Sequence, residues 1–308
     1  MIIDVIIPTY KPDAKFKRLI EMLEIQTVPV NKIIVINTEE KYMEALFVGS
    51  RFLAEHRKLS IHHISQKEFD HGKSRNRGAK KSEADIMVFM TQDAVPADEY
   101  LIEKLVAPLA DKEIACAYAR QLPDSDSTMT EVLTREFNYP NKSSVKAKDD
   151  LKELGIKTYF CSNVCCAYNT DLFRELGGFI NRTIFNEDMI YAAKVIQNGY
   201  KIAYAAEARV IHSHNYSGKQ QFHRNFDLGV SQADHPDIFA TVSSESEGIK
   251  MVKETMGKLK EAGYAKEIPN YIITSGCKFI GYRMGKNYKK LPMWLIKKCT
   301  MSPTYWNR

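Results

Sequence analysis

Most of the residues able to do chemistry stand in short clusters directly after apolar runs. Pro8-Thr9-Tyr10 follows Asp4-Val5-Ile6-Ile7, and Asn37-Thr38-Glu39 follows the run 32–36. There, backbone amides and a hydroxyl can meet a ligand. Phe69-Asp70-His71-Gly72-Lys73-Ser74-Arg75-Asn76 follows a third run. It sets a glycine, two cations and an asparagine at a predicted helix start. Free N–H groups at a helix start, with Lys or Arg nearby, suit a phosphate. The other reading of Arg75 is an ion pair with an internal carboxylate, a common device around clefts. Thr91-Gln92-Asp93 ends a fourth run. A carboxylate at a strand end can hold Mg²⁺ or Mn²⁺, hard cations that take oxygen ligands; a lone Asp in a loop is a turn residue. Asp93 gains weight from Asn186-Glu187-Asp188 and His212-Ser213-His214 further along. Read alone, His212 is a structural histidine at a strand end. Glu187 and Asp188 also read as acids complementing the dipole of the helix they open, a role compatible with catalysis.

The elements that must position these clusters follow from periodicity. The apolar runs 4–7, 32–36, 60–64 and 85–90 read as buried strands. Residues 14–26, 41–57 and 73–81 read as helices between them. Strand–helix alternation with almost wholly apolar strands implies a mainly parallel sheet covered on both faces. Ligands of such sheets bind at the carboxyl ends of the strands, where the clusters lie. Beyond residue 100, 122–150 is polar and reads as an exposed insertion or mobile loop. A short helix is expected at 171–177 and another from 188 to 197, with short strands at 200–205 and 208–211. An amphipathic helix is expected at 245–263, then one or two basic, aromatic-rich helices over 271–300.

Composition narrows the function classes. The chain has 308 residues, is 44% hydrophobic and 27% charged, and carries a net charge of +6. That is ordinary for a globular protein and excludes a disordered chain. No run approaches ~20 apolar residues, so no spanning helix is expected. The opening Met-Ile-Ile-Asp lacks a signal-peptide pattern, so the expected address is the cytoplasm with reduced thiols. Six cysteines without a paired zinc spacing read as buried or free thiols. The positive charge is confined to one end. After Glu267 there is no acid, but there are Lys278, Arg283, Lys286, Lys289, Lys290, Lys297, Lys298 and Arg308. Without those eight, 36 basic residues face 38 acidic ones, a body near −2. A nucleic-acid binder builds its basic face into the fold, so nucleic acid is not an expected partner. In the tail, aromatics interleave with the cations, which suits an anionic membrane surface. The alternative is a helix that packs its aromatics on the body and turns Lys outward.

Taken in order, the opening V-I-I-P-T-Y, the F-D-H-G-K-S-R-N segment and the T-Q-D-A-V-P strand end resemble glycosyltransferase family 2. So do the later G-G-F, the N-E-D before a helix and the V-I-H-S-H that follows. The F-D-H-G and T-Q-D-A forms are most similar to its bacterial rhamnosyltransferase branch. The resemblance covers about residues 2–225. It implies a GT-A fold: a Rossmann-like, mixed and mainly parallel α/β sheet, with a nucleotide-sugar half over 1–93 and an acceptor half over 94–225. Residues 226–308 are then a helical, basic and aromatic extension.

The resemblance also implies roles. Asp93 takes the place of the last carboxylate of the family's D-x-D metal motif, with Thr91 where the first Asp stands, so one carboxylate ligand is missing. His212 matches the histidine ligand, His214 being the alternative, for Mn²⁺ or Mg²⁺. Asp188 matches the general base that takes the acceptor's proton, with Glu187 beside it. Asn37 stands where many relatives carry Asp, so it binds without charge, and Glu39 is a substitute. Pro8, Thr9, Tyr10, Asp70 and Gln92 fall in the nucleotide pocket, and Lys73 and Arg75 nearer the diphosphate. Asn163, Gly178 and Phe179 fall among sugar and acceptor contacts. The expected donor is a nucleotide sugar, dTDP-β-L-rhamnose above others. The expected acceptor is a glycan or lipid-linked precursor, which places the protein in the cytoplasm or at the inner face of the membrane through 271–300. Two other classes share part of the pattern: a GT-A-like nucleotidyltransferase, and a non-catalytic sugar-nucleotide-binding protein. The first should show a glycine-rich, basic first loop, unlike Pro8-Thr9-Tyr10-Lys11. An oxidoreductase is disfavoured because no G-x-G-x-x-G follows the first strand.

Overall fold

The computed structural model describes residues 1–240 and 245–307. Nine strands form one mixed sheet: β1 (Ile3–Tyr10), β2 (Lys32–Thr38), β3 (Leu59–Ile64), β4 (Ile86–Met90), β5 (Val95–Pro96), β6 (Ile114–Leu122), β7 (Ser144–Lys146), β8 (Cys165–Asn169) and β9 (Lys201–Ile211). Their order is β3-β2-β1-β4-β8-β6-β9-β5, with β7 on β9. The first four strands are parallel, and so are β6 and β9. Between them β8 runs antiparallel to both β4 and β6. The consequence is geometric: β8 begins at the edge where β1, β2, β4, β6 and β9 end.

The central strands are apolar because both faces are covered. One face buries Val5, Ile7, Leu19, Val35, Val88 and Leu105; the other buries Ile6, Ile34, Phe89, Tyr168, Tyr191 and Ile196. Each such side chain contributes about 1.5–3 kcal/mol by leaving water. The α/β sheet with helices on both faces and a helical C-terminal extension is thus present.

Several elements differ from the sequence reading. Residues 122–150 are not an open loop: they hold the helix Met129–Asn138 and strand β7. Thr128 caps that helix by accepting from Glu131 N–H, and Leu133 is buried against Leu259 and Tyr271. Its polar residues are engaged in the fold: Arg135 Nε donates to Glu131 Oε1 at 2.7 Å, with both side chains mostly buried. Residues 41–57 break into the helices Glu40–Phe47 and Phe52–Glu55, separated at Gly49 with φ +68°. The two short strands after Tyr200 are one strand, β9, with a register shift against β6. Strands β6 and β8 and the helix Gly218–Asp234 went unread, and residue 225 lies inside that helix.

The C-terminal extension packs through glycines. A Cβ at Gly281 or Gly285 of the helix Ile268–Lys286 would overlap the carbonyl of Phe222 or Phe226, and one at Gly229 would overlap that of Tyr282. The two helices cross at backbone contact. The hydroxyls of Tyr282 and Tyr288 donate to Gln232 at 2.7 Å and to Asp234 at 2.6 Å. Ile296 of the helix Met293–Cys299 is buried with Phe226 and Val230. The tail's aromatics therefore divide: Tyr282 and Tyr288 pack inward, while Phe279 (52%) and Trp294 (62%) stay exposed, as do Ile272, Ile273 and Ile280. Among the described residues no helix is long and apolar enough to cross a membrane; Arg308 lies outside them.

Candidate active site

The sheet edge where the strands end gathers two clusters of functional groups. The first joins β4 to the segment after β9. Asp93 Oδ1 lies 3.6 Å from His212 Nε2, and Asp93 Oδ2 lies 3.3 Å from His214 Nε2. The two Nε2 atoms are 3.2 Å apart. His212 Nδ1 meets Gln121 Oε1 at 3.0 Å. An amide oxygen only accepts, so Nδ1 carries the proton and Nε2 turns a lone pair toward Asp93. Burial holds His214 below the ordinary imidazole range and takes His212 down to about 3, so both rings are neutral and able to ligate. Burial acts to raise the Asp93 carboxyl, whereas positive charge at His212 or His214, a proton or a bound cation, would lower it. One carboxylate and two neutral imidazoles within 4.8 Å fit a divalent cation. Gln121 orients His212, the kind of outer partner metal-binding histidines keep. Gln121 carries no signal in the sequence, because the end of β6, Ala119-Arg120-Gln121, shows no strand period and no motif.

The second cluster stands at the start of β8 and of the helix Glu187–Gln197. Asn186 takes the left-handed conformation, φ +63°, ψ +23°, which asparagine tolerates better than most residues. The turn aims Glu187 and Asp188 back at the sheet. Arg75 Nη1 pairs with Glu187 Oε1 at 3.2 Å, both side chains almost fully buried. Asn163 Nδ2 donates to the same oxygen at 3.1 Å, while Asn163 N–H donates to Asp188 Oδ2 at 3.0 Å. Tyr168 hydroxyl donates to Asn163 Oδ1 at 2.7 Å. Burial raises the Asp188 carboxyl to about 7, with help from the Glu187 charge and against the amides of Asn163 and Met189. Glu187 stays lowered: burial acts upward, but Arg75, His71 and Asn163 outweigh it. The two neighbouring acids are therefore split into a permanent anion and a group that titrates near neutrality. Gln121 Nε2 also donates to Ser162 Oγ at 3.0 Å. Through Ser162 and Asn163, adjacent in sequence, the two clusters are physically joined.

The remaining expected residues separate. Thr9 hydroxyl donates to Asn37 Oδ1 at 3.0 Å, and Asn37 Nδ2 donates to Glu39 O at 3.1 Å and to His63 Nδ1 at 2.9 Å. Both residues are buried, so Asn37 spends its amide holding β1 to β2. Glu39 Oε1 accepts from Gln66 N–H at 2.6 Å. Gln92 accepts from Tyr10 N–H at 2.8 Å and donates to Tyr10 O at 3.1 Å. This clamp follows Pro8 and leaves the Tyr10 ring exposed, edge-on to Tyr42 at 5.5 Å with Lys11 over both rings. Asp70 caps the helix His71–Ala79 by accepting from Gly72 and Lys73 N–H. On that helix Arg75 points inward to Glu187, the ion pair among its two readings, whereas Lys73 lines an outer groove with Arg77 and Arg174. Phe179 is buried among Phe89, Tyr168 and Phe173, and Gly178, at φ +66°, backs onto Asn76.

Residues 4–177, more than half of the chain, match the family described as Glycosyl transferase family 2. The chain belongs to glycosyltransferase family 2. It is 42% identical over 310 aligned residues to the O-antigen chain rhamnosyltransferase RfbN of Salmonella typhimurium, covering 100% of this chain and 96% of that one. It is 39% identical to the O-antigen chain rhamnosyltransferase WbaN of Salmonella anatum, over 98% and 95% of the two chains. Two solved structures share the fold of this family 2 protein. Residues 1–349 of S. aureus TarS superpose with a TM-score of 0.55 at 15% identity, covering 94% of this chain and 92% of that chain. The mannosyltransferase PcManGT of Pyrobaculum calidifontis, solved with GDP-Man and Mn²⁺, gives 0.57 at 13% identity, covering 99% and 84%. The extension beyond residue 225 thus lies within the aligned span of both relatives and both structures.

Proposed function

We propose that this glycosyltransferase moves L-rhamnose from dTDP-β-L-rhamnose to a hydroxyl of a cell-surface polysaccharide or its lipid-linked precursor, with inversion. The observation that carries the sugar is the pair of rhamnosyltransferases aligned over nearly the whole chain. The residues supply the rest. Asp188, held by Asn163 and Met189 N–H at 3.0 and 2.8 Å, takes the acceptor's proton. The freed oxygen bonds to C1 as the bond from C1 to the diphosphate breaks, so a β-linked donor yields an α-linked product. Glu187, fixed by Arg75, keeps its own charge and directs the basicity to Asp188. Asp93, His212 and His214 would hold a divalent cation, whose chemistry there would be to supply positive charge to the departing diphosphate. Thr9, Asn37 and Asp70 shape the nucleotide pocket, and the exposed rings of Tyr10 and Tyr42 offer the base a face to stack on. The exposed apolar residues of 271–300, with the lysines around them, seat the enzyme on an anionic membrane that carries its acceptor.

The test is calorimetric titration of the full chain with a panel of nucleotide sugars, with Mn²⁺, with Mg²⁺ and with chelator. Selective, metal-dependent binding of dTDP-rhamnose is expected. Binding of a UDP- or GDP-sugar in its place removes the rhamnose assignment, and binding unchanged by chelator removes the metal.

A further inference from the structure

Beneath the loop that carries Asn163, three cysteines from separate parts of the chain meet. Cys116 comes from β6, Cys166 from β8, and Cys161 from the turn before β8. Their sulfurs lie within 4.8 Å of one another, with Cys161 Sγ 3.3 Å from Cys166 Sγ. All three are free and buried. Three sulfurs bonded to one ion at about 2.3 Å stand roughly 3.8 Å apart, a separation that falls inside the 4.8 Å within which all three sulfurs lie. The spacing along the chain hides this arrangement, because β6 and β8 become neighbours only in the sheet.

Lys146 closes the cluster. It is 4% exposed, and its ammonium donates to Lys157 O at 3.1 Å, to Phe160 O and to Tyr118 hydroxyl at 3.3 Å. Among the described residues no carboxylate forms an ion pair with it, and a buried cation without an anion is costly. Burial lowers the Lys146 ammonium to about 8, and negative charge on the sulfurs of Cys161, Cys116 or Cys166 would oppose that first.

We propose that Cys116, Cys161 and Cys166 form a buried three-thiolate site for a soft d¹⁰ cation, zinc or copper(I), with Lys146 as its counter-charge. With zinc, three thiolates and one ammonium sum to no net charge, which is what a dry interior tolerates; copper(I) in the same set leaves one negative charge. An all-sulfur set selects such ions over Mg²⁺ or Mn²⁺, so this site is chemically separate from Asp93, His212 and His214. As the ion enters, each S–H proton leaves to solvent and a metal–sulfur bond replaces it, with no change of oxidation state. Occupancy ties β6, β8 and the 161–163 turn together behind the acid pair.

The test uses full-length, reduced, metal-free protein under anaerobic conditions. It is titrated with Co²⁺, as the spectroscopic stand-in for zinc, and with Cu(I), both when folded and during refolding, so that burial does not mask slow loading. One equivalent should produce thiolate-to-metal charge-transfer absorption, which oxygen and nitrogen ligands at the other site do not give. Cys161→Ser and Cys166→Ser should abolish it, and Cys277→Ser should keep it. Lys146→Met retains every sulfur, guards against misfolded cysteine variants, and should weaken binding at least tenfold. Absence of the absorption with both ions under both loading conditions overturns the proposal. So does absorption that survives loss of Cys161 and Cys166 together.

Discussion

Asp188 and Glu187 are adjacent in sequence and placed in different electrostatic surroundings, and that difference makes the base testable. Glu187 has Arg75 at 3.2 Å; Asp188 has two amides, burial and a neighbouring anion, and titrates near 7. Asp188→Asn should lower kcat by about 10²–10⁴-fold while donor affinity by calorimetry stays the same; equal loss of both would remove Asp188 from the proton transfer. The pH profile follows with a definite sign. A base must be ionised to act, so kcat/KM should fall as pH drops through about 7. Glu187→Gln removes the second cause of the raised value, so the limb should move to lower pH. A limb that stays in place or moves up contradicts the pairing. At the other cluster, Gln121→Leu takes away the acceptor that fixes the His212 tautomer. Metal affinity should drop by about 10–100-fold, read by titration with Mn²⁺.

At the scale of elements, the C-terminal helices are held by contacts that leave no room. Gly281 and Gly285 of Ile268–Lys286 let that helix touch the backbone of Gly218–Asp234. Gly285→Ala must push them apart, and overpacking of this kind costs about 1–3 kcal/mol. The unfolding midpoint should fall and proteolysis beyond residue 260 should accelerate; an unchanged midpoint would show that the crossing relaxes freely. These elements also mark what was legible in the sequence. The strands β1 to β4 announce themselves, because strands buried on both faces have to be uninterrupted apolar runs, and the clusters after β1, β2 and β4 stand out by contrast. Strand β6 is broken by Tyr118, Arg120 and Gln121, and β8 is only five residues long with two cysteines, so neither shows a clear period. Their partners are set by the sheet and not by neighbours in sequence. That is why Asn163, at the start of the reversed strand, is marked only by the resemblance, why Gln121 is not marked at all, and why the cysteines, lacking a paired zinc spacing, read only as buried or free thiols. Arg75 was visible as a residue, but only the turn at Asn186 decides that it faces Glu187.

For the whole molecule, the question is where the charge and the apolar surface sit relative to the cleft. The body is close to neutral and the tail carries the cations. The structure divides the tail's large side chains, with Tyr282, Tyr288 and Ile296 packed on Gly218–Asp234. Ile272, Ile273, Phe279, Ile280 and Trp294 are left facing solvent, with Lys298 over the Trp294 ring. Isolated exposed hydrophobics are ordinary, but a group of them along one helix and its successor marks a surface that is covered in use. Apolar insertion and attraction to anionic headgroups add, at about 1 kcal/mol for each lysine near the surface. The full chain should therefore co-sediment with vesicles containing anionic lipid, less with neutral ones, and less again as salt screens the lysines. Phe279→Ser with Trp294→Ser should reduce binding at every salt concentration, because the insertion is apolar. Lys297→Gln with Lys298→Gln should reduce it mainly at low salt. Neither pair touches the acid pair or the histidines, so transfer to a soluble acceptor should be unaffected while transfer to a membrane-borne acceptor falls. Equal binding to neutral and anionic vesicles would leave charge without a role, and loss of soluble-acceptor activity in either pair would mean that the extension shapes the site itself.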